Sequence, residues 1–415
     1  MTAFEQAPGW RNYLDSKMPF YLDMLQQMVA INSFTANPAG VNKLSRLTAE
    51  MFAPLGFAAE FVAPEAAEVG DHLVMTTTAQ RPDAPTISLI SHLDTVFSEA
   101  EEAYHDFHWR PEGKVIYGPG TVDIKGGTVL IYMLLDGLRQ MAPEIYNAVN
   151  WQILLDSQEE TGGFTFGPLC DERLAGNAAA LVFEGGNLQD RRFKLVVARK
   201  GMVNYQIRTI GRSAHAGSRH GSGANAIVQL ADVVGRVAAL TDYENELTYN
   251  VGTINGGTVT NRVPHYAEAH VEMRTFDQAI YERGIAQMLA LQDGVTVSDQ
   301  QGEFACGIEI EVLRKTLPWP RNEGTDMLYD LWSGAAAGLG MGTVPEERGG
   351  LSDGNHFWQL VPTLDGLGPA GGNAHCSERT ADGSKDQEFV VPASFVPKTM
   401  VNTMGVLELL ARLKR

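Results

Sequence analysis

Histidine and acidic side chains end a series of apolar runs along this chain. TISLISHLD runs apolar and stops at His92 and Asp94; WQILLDSQEETGG stops at Glu159 and Glu160; ALVFEGG stops at Glu184. VPTLDGLGPAGGNAH reaches His375 through a glycine-rich loop, and Asp123 sits in the glycine-rich turn GPGTVDIKGG ahead of a helix. Short apolar runs of this kind read as buried strands. In an open α/β sheet the ligand crevice lies beyond the carboxyl ends of the strands, so polar residues at several strand ends converge there. Two imidazoles with a surplus of carboxylates suit a borderline-hard divalent ion such as zinc. They are too many for one four-coordinate ion that keeps an open position. They suit two ions, roughly 3.5–4 Å apart, that share a bridging carboxylate. Charge agrees: two dications balance Asp123, Glu160, Glu184 and one bridging hydroxide.

The elements that must position these residues follow from periodicity. Residues 1–195 alternate helical stretches near 15–31, 41–55 and 126–141 with apolar strands near 72–77, 86–91, 151–156 and 180–183, an α/β layer. From about 198 to 314 the character changes. VNYQIRTI, LTYNVGTI, AEAHVEMRTF and IEIEVLR alternate apolar with polar, so each has one wet face. Helical patterns in ANAIVQLADVVGRVAAL and near 278–291 complete the order β-α-β-β-α-β, the ferredoxin-like split motif. The expectation is an α/β domain over 1–197 and 315–415 with an α+β domain inserted at 198–314, closing on an amphipathic helix around 393–413. SEAEEAYHDFHWR, at 98–110, reads as a charged surface loop.

Composition bounds the function. The chain has 415 residues, and 32 basic against 50 acidic side chains give a net charge of −18. That balance argues against nucleic acid, which needs a basic face, and against anionic membrane surfaces. With 44% hydrophobic and 8% aromatic residues, ordinary cores can form. No run of apolar residues is long enough to span a bilayer, and MTAFEQAPGWRNYLDSKMPF lacks the pattern of a secretory signal. Cys170, Cys306 and Cys376 form no CxxC pair. A reduced, cytoplasmic protein is expected, with Cys376 read as a small buried side chain rather than a ligand.

HLDTVF, GPGTVDIKGG, QEETGG, VFEGG, GRSAHAG, GTINGGTVTNRVP and GPAGGNAH, in this order from about residue 20 onward, resemble the dinuclear zinc exopeptidases of the glutamate carboxypeptidase, aminoacylase and acetylornithine deacetylase type. HLDTVF is more similar to the glutamate carboxypeptidase branch. The resemblance implies a mixed-sheet catalytic domain with an inserted ferredoxin-like lid that dimerises. It makes His92, Asp123 and Glu184 the ligands of one divalent ion, and Asp123, Glu160 and His375 those of the other. Zinc is expected there, with cobalt and manganese also fitting. Asp94 would accept the second ring N–H of His92. Glu159 would be the general base, working through a metal-bridging hydroxide. The resemblance further implies a cis peptide at Asp123–Ile124. In the inserted domain, His215 resembles a histidine that reaches a partner's active site, Asn261 and Arg274 resemble residues holding the substrate's carbonyl and carboxylate, and Gly350 sits in a pocket-lining loop.

After His375 the segment CSERTADGSKDQEF is longer than in relatives, which pass more directly to an acidic residue and an aromatic; Glu378 is the candidate for the acidic place. The implied activity is hydrolysis of the amide between an acyl or peptidyl group and a C-terminal amino acid, by a homodimer. A small-acyl deacetylase or aminoacylase, a dipeptidase, and a non-catalytic relative are the alternatives. The presence of Glu159 and all five ligands disfavours the last.

Overall fold

A computed structural model describes residues 6–64, 68–189 and 192–414. The chain divides into two compact units. Unit 1 runs to Val197 and takes in Arg321–Glu347 and the chain from Ser352 onward; unit 2 holds Ala198–Pro320 and Arg348–Leu351.

Unit 1 is built on a mixed sheet. Strands β1 (Phe57–Val62), β2 (His72–Thr77), β3 (Thr86–His92), β4 (Asn150–Asp156) and β5 (Ala179–Val182) lie in the order β1-β2-β4-β3-β5, followed by the short strand Thr363–Leu364. β1 and β2 pair antiparallel, as do β2 and β4. β3 runs parallel to β4 and to β5. Over β2–β5 both faces are covered, which is why those strands read as continuous apolar runs rather than alternating ones, whereas the edge strand β1 is mostly exposed. Leu73, Met75, Leu89, Ile153, Leu155 and Leu181 pack with the helices Ala7–Val29, Lys125–Met141 and Phe395–Leu413. Their neighbours Val74, Ile90, Leu154, Ala180 and Val182 face the opposite way, against Phe166, Leu169 and Phe357.

The first helix begins at Ala7, well before the expected start, and continues through Pro19. The expected loop at 98–110 contains a helix, Glu99–Tyr104, started by Ser98, whose side chain accepts the Glu101 N–H. The last helix is buried well beyond one stripe. Lys398, Thr399, Asn402 and Thr403 are covered along with its apolar residues, so its polar positions serve packing rather than solvation. It approaches the helix Glu323–Gly338 closely. A side-chain carbon at Gly405 would lie 2.5 Å from the Trp332 ring, and Trp332 Nε1 donates to Asn402 Oδ1 at 3.1 Å.

Unit 2 carries strands β6 (Gly201–Ile210), β7 (Thr248–Gly256), β8 (Tyr266–Thr275) and β9 (Gly307–Thr316) in the order β7-β8-β6-β9, all pairs antiparallel. With helices Ala226–Ala238 and Gln278–Ala290 between them, this is the split β-α-β arrangement. β8 alternates buried with half-buried residues along its length. Its inward residues Ala267, Ala269, Val271 and Met273 meet Leu230, Val233 and Tyr281 of the helices.

Removing the fully buried indole in Trp332→Ala should cost about 3–5 kcal/mol of unfolding free energy. Urea denaturation measures it; a loss below about 1 kcal/mol would show that this helix contact does not hold unit 1 together.

Candidate metal centre

The expected strand-end residues of unit 1 come together. His92 ends β3, Glu159 and Glu160 form a short turn just after β4, and Glu184 follows β5. Parallel pairing of β3 with both neighbours puts these three ends side by side. Asp123 immediately precedes the helix Lys125–Met141, and the Asp123–Ile124 peptide is cis, as the resemblance implies.

Asp123 is divided between the two imidazoles. Its Oδ1 lies 3.2 Å from His92 Nε2, and its Oδ2 lies 3.2 Å from His375 Nε2. Each imidazole has a second carboxylate at hand: Glu184 Oε1 at 3.5 Å from His92, and Glu160 Oε2 at 3.0 Å from His375. Two half-sites, each one imidazole and one carboxylate, thus share Asp123. His92 and Glu160 are almost wholly covered, whereas the His375 side chain is 55% exposed. His375 takes a left-handed backbone, φ 64°, uncommon without glycine and frequent at functional sites.

One expected contact is different in kind. His92 Nδ1 lies 3.0 Å from the backbone carbonyl of Asp94 and 3.5 Å from its carboxylate. A carbonyl only accepts, so it fixes the hydrogen on Nδ1 and turns the other nitrogen toward Asp123. The Asp94 carboxylate has closer partners besides His92. It accepts the Glu159 N–H at 3.1 Å, the Glu160 N–H at 3.2 Å and the Thr35 hydroxyl at 2.6 Å. Asp94 therefore anchors the turn that presents both glutamates, a role that spacing could not reveal because it runs through main-chain donors.

The same turn rests on Asp156, an acid that the sequence reading did not assign, and Asp353, which the resemblance puts in the loop of Gly350, lies close by. Asp156, wholly buried, accepts the Gln158 N–H at 2.9 Å and pairs with His72 at 3.1 Å. Gly163 has φ 60°, and a side-chain carbon there would lie 2.7 Å from Asp156 Oδ2, so only glycine fits. Asp353 is also buried; desolvation, then the charge of Asp156, pushes its carboxyl well above the usual range.

Electrostatics sets what this cluster can hold. Burial, then Asp123, pushes the Glu160 carboxyl up to about 7. Burial and the neighbouring carboxylates lift Glu159 well above its ordinary value, against the pull of His92. Hydrogen bonds to Asp123 and Glu160 raise His375 to about 11. Burial opposes a charge on His92, yet its bonds to Asp123 and Asp94 raise it well above the ordinary value. The cluster thus draws positive charge. Glu160 Oε1 is buried with no hydrogen-bond donor, and atoms of His92, Asp123 and Glu160 lie within 4.8 Å of one another. Oxygen and imidazole donors converging around an orphaned carboxylate oxygen fit a divalent cation.

Two corrections concern the chain after His375. Glu378 is only half-buried and pairs with Lys385; the buried acid beside an aromatic is Glu388, which precedes Phe389. Cys376 is only half-buried, since its loop lies at the surface.

His215, Asn261, Arg274 and Gly350 lie in unit 2. His215 Nδ1 accepts the N–H groups of Gly217 and Ser218 at 3.1 and 3.2 Å, leaving its hydrogen on Nε2 in an exposed loop. The Asn261 carbonyl accepts the Ala216 N–H. Arg274 donates to Glu272 at 2.6 Å and to the Gly349 carbonyl at 2.8 Å. The Gly350 carbonyl accepts from Arg199 at 3.2 Å.

Residues 197–291 match the family model described as a peptidase dimerisation domain of the M20 type. Carboxypeptidase G2 from Pseudomonas sp. (strain RS-16) is 26% identical over 364 residues, 86% of this chain and 84% of the relative. An acetylornithine deacetylase from Salmonella arizonae is 27% identical over 278 residues, 62% of this chain and 68% of the relative. Two solved structures share the fold. An aminopeptidase from Bacillus cereus has a TM-score of 0.75 at 19% identity, covering 95% of this chain and 99% of that one. An M20-family metallo-carboxypeptidase from Sulfolobus solfataricus has a TM-score of 0.69 at 15% identity, covering 94% and 98%. These likenesses support the M20 exopeptidase family. The relatives support a hydrolase, and M20 metallopeptidases use divalent metal ions. Among the described residues no helix is long and apolar enough to cross a membrane.

Asp94→Ala leaves two turn N–H groups without their acceptor and should lower kcat/KM for amide hydrolysis about 10–100-fold. Asp94→Asn keeps one acceptor oxygen and should fall between. Wild-type kinetics in the alanine variant would refute the anchoring role.

Proposed function

We propose that this M20 hydrolase cleaves the amide bond joining an acyl or peptidyl group to a C-terminal amino acid, in the manner of a glutamate carboxypeptidase. The observation that carries this reading is Asp123, one oxygen on each imidazole, with the half-buried acid Glu159 beside it. His92, Asp123 and Glu184 would hold one divalent ion, and Asp123, Glu160 and His375 a second. Such ions, zinc by the donor set or else cobalt or manganese, would polarise the scissile carbonyl and acidify the attacking water.

The protein's own groups supply the rest. Glu159 takes a proton from the attacking water as its oxygen bonds the carbonyl carbon. It then gives that proton to the amine nitrogen as the C–N bond breaks. A carboxyl raised by burial and by its acidic neighbours suits both halves of that transfer, because its affinity for the proton is moved toward neutrality. His215, its hydrogen on Nε2, is a donor suited to the oxyanion; we assign it to the site of a second subunit. Asn261 would bind the substrate carbonyl, and the planar guanidinium of Arg274 would bind the free carboxylate of the leaving amino acid. The loop of Gly350 would line that subsite. The match to a dimerisation domain supports a homodimer formed through unit 2, and unpaired cysteines support a cytoplasmic location. Substrates would be N-acyl-amino acids or short peptides, with acylglutamate or acylaspartate first. The likeness to acetylornithine deacetylase supports the second reading, removal of a small acyl group.

An amine-release assay on N-acyl amino acids ending in Glu, Asp, Ala, Leu, Phe or Arg tests both readings. The acidic ends should turn over fastest. Glu159→Ala should lower kcat about 10²–10⁴-fold while metal content stays unchanged. Turnover surviving in that variant would remove Glu159 as the base, and selectivity for the acyl group alone would favour the deacetylase reading.

A further inference from the structure

We propose that Glu388 is a positioning residue that ties the Asp123 turn to the His375 loop and so holds the shared carboxylate between the two imidazoles. Glu388 is fully buried. Its Oε1 accepts the backbone N–H of Val122 at 2.9 Å and that of Asp123 itself at 3.2 Å. Its main chain is engaged on both sides: the Glu388 carbonyl accepts the Gly118 N–H at 3.2 Å, and the Glu388 N–H donates to the Cys376 carbonyl at 2.8 Å. The following residue, Phe389, pairs with Tyr117 on one flank and with Gly372 on the other. One residue therefore bonds the segment carrying Asp123 and the segment carrying His375.

The consequence is geometric. Asp123 stands 3.2 Å from each imidazole, so a shift of its backbone toward either one lengthens the other contact. A carboxylate shared by two half-sites tolerates less displacement than one serving a single site, and groups that orient such ligands matter nearly as much as the ligands. Glu388 also lies within electrostatic reach of Lys125, a buried ammonium that donates to the Ile31 carbonyl at 3.0 Å. The residue could thus matter as an acceptor or as a charge, and the bonds to Val122 and Asp123 assign it the first role.

This inference rests on the reading that the cluster holds divalent ions. Zinc affinity, measured on the full chain by competition with a chromophoric chelator, separates the possibilities. E388Q keeps an acceptor oxygen at full reach without the charge, and its affinity should stay within about threefold of wild type. E388D keeps the charge but is one carbon short, and should bind zinc about 10–100-fold more weakly. E378Q, in the exposed part of the same loop, should match wild type. Equal affinity in E388D and wild type overturns the inference, and so does E388Q as weak as E388D, which would make the charge decisive. A wild-type chain that binds no zinc overturns the metal reading and the inference with it. Hydrogen exchange on the wild type needs no variant: the Val122 and Asp123 amides should be protected, and rapid exchange at both would overturn the proposal.

Discussion

Carboxylates repel one another, and burial makes each charge dearer to hold; here Asp123, Glu159, Glu160 and Glu184 crowd the end of one sheet, with two imidazoles to share among them. That repulsion is the constraint to which the rest of unit 1 answers. Left to themselves these side chains would separate or take up protons. The upward shift of Glu160 and His375, in opposite chemical senses, records the same deficit of positive charge. Divalent cations would relieve it, so the cluster reads as a site poised for a ligand rather than one completed by its own residues.

Holding the acids together falls to the backbone. Parallel pairing of β3 with β4 and β5 fixes three strand ends, and both faces of that sheet are packed, so the ends cannot slide. Loops then need separate anchors. Asp94 gathers the glutamate turn by its N–H groups, and Gly163 lets that turn close over Asp156. In each case an acid that binds main-chain donors stands behind an acid offered to the site, a division of labour seen also at metal sites generally.

Much of this was legible in the sequence, for a physical reason. Strands buried on both faces are near-continuous apolar runs, so the polar residues that follow each run mark a strand end; His92, Glu159 and Glu184 were visible that way, although Asp156, which ends its strand ahead of Glu159, was passed over. The alternation in VNYQIRTI and AEAHVEMRTF likewise gave unit 2 its strands, because one face of that sheet meets solvent. What escaped were features set by main-chain donors or by long-range contacts. Asp94 could be read as a partner of His92, which it adjoins, but its further bonds to the Thr35 hydroxyl and to the backbone N–H groups of Glu159 and Glu160 were not visible in the motif. Glu378 looked like the acid after His375 because it is near in sequence, whereas the pairing of Phe389 with Tyr117 brings Glu388 in. The helix at Glu99–Tyr104 was hidden by its charge, since all of its acidic residues are in its first turn, where they favour a helix start.

The proposed centre requires Asp123 to be a ligand held in common. Titration of metal-free protein with zinc, followed by calorimetry, tests that most directly. Two equivalents per chain should bind, and Asp123→Asn should weaken both, because each half-site loses the same carboxylate. One equivalent in the wild type, or an Asp123→Asn variant in which one site keeps its full affinity, would contradict the shared centre.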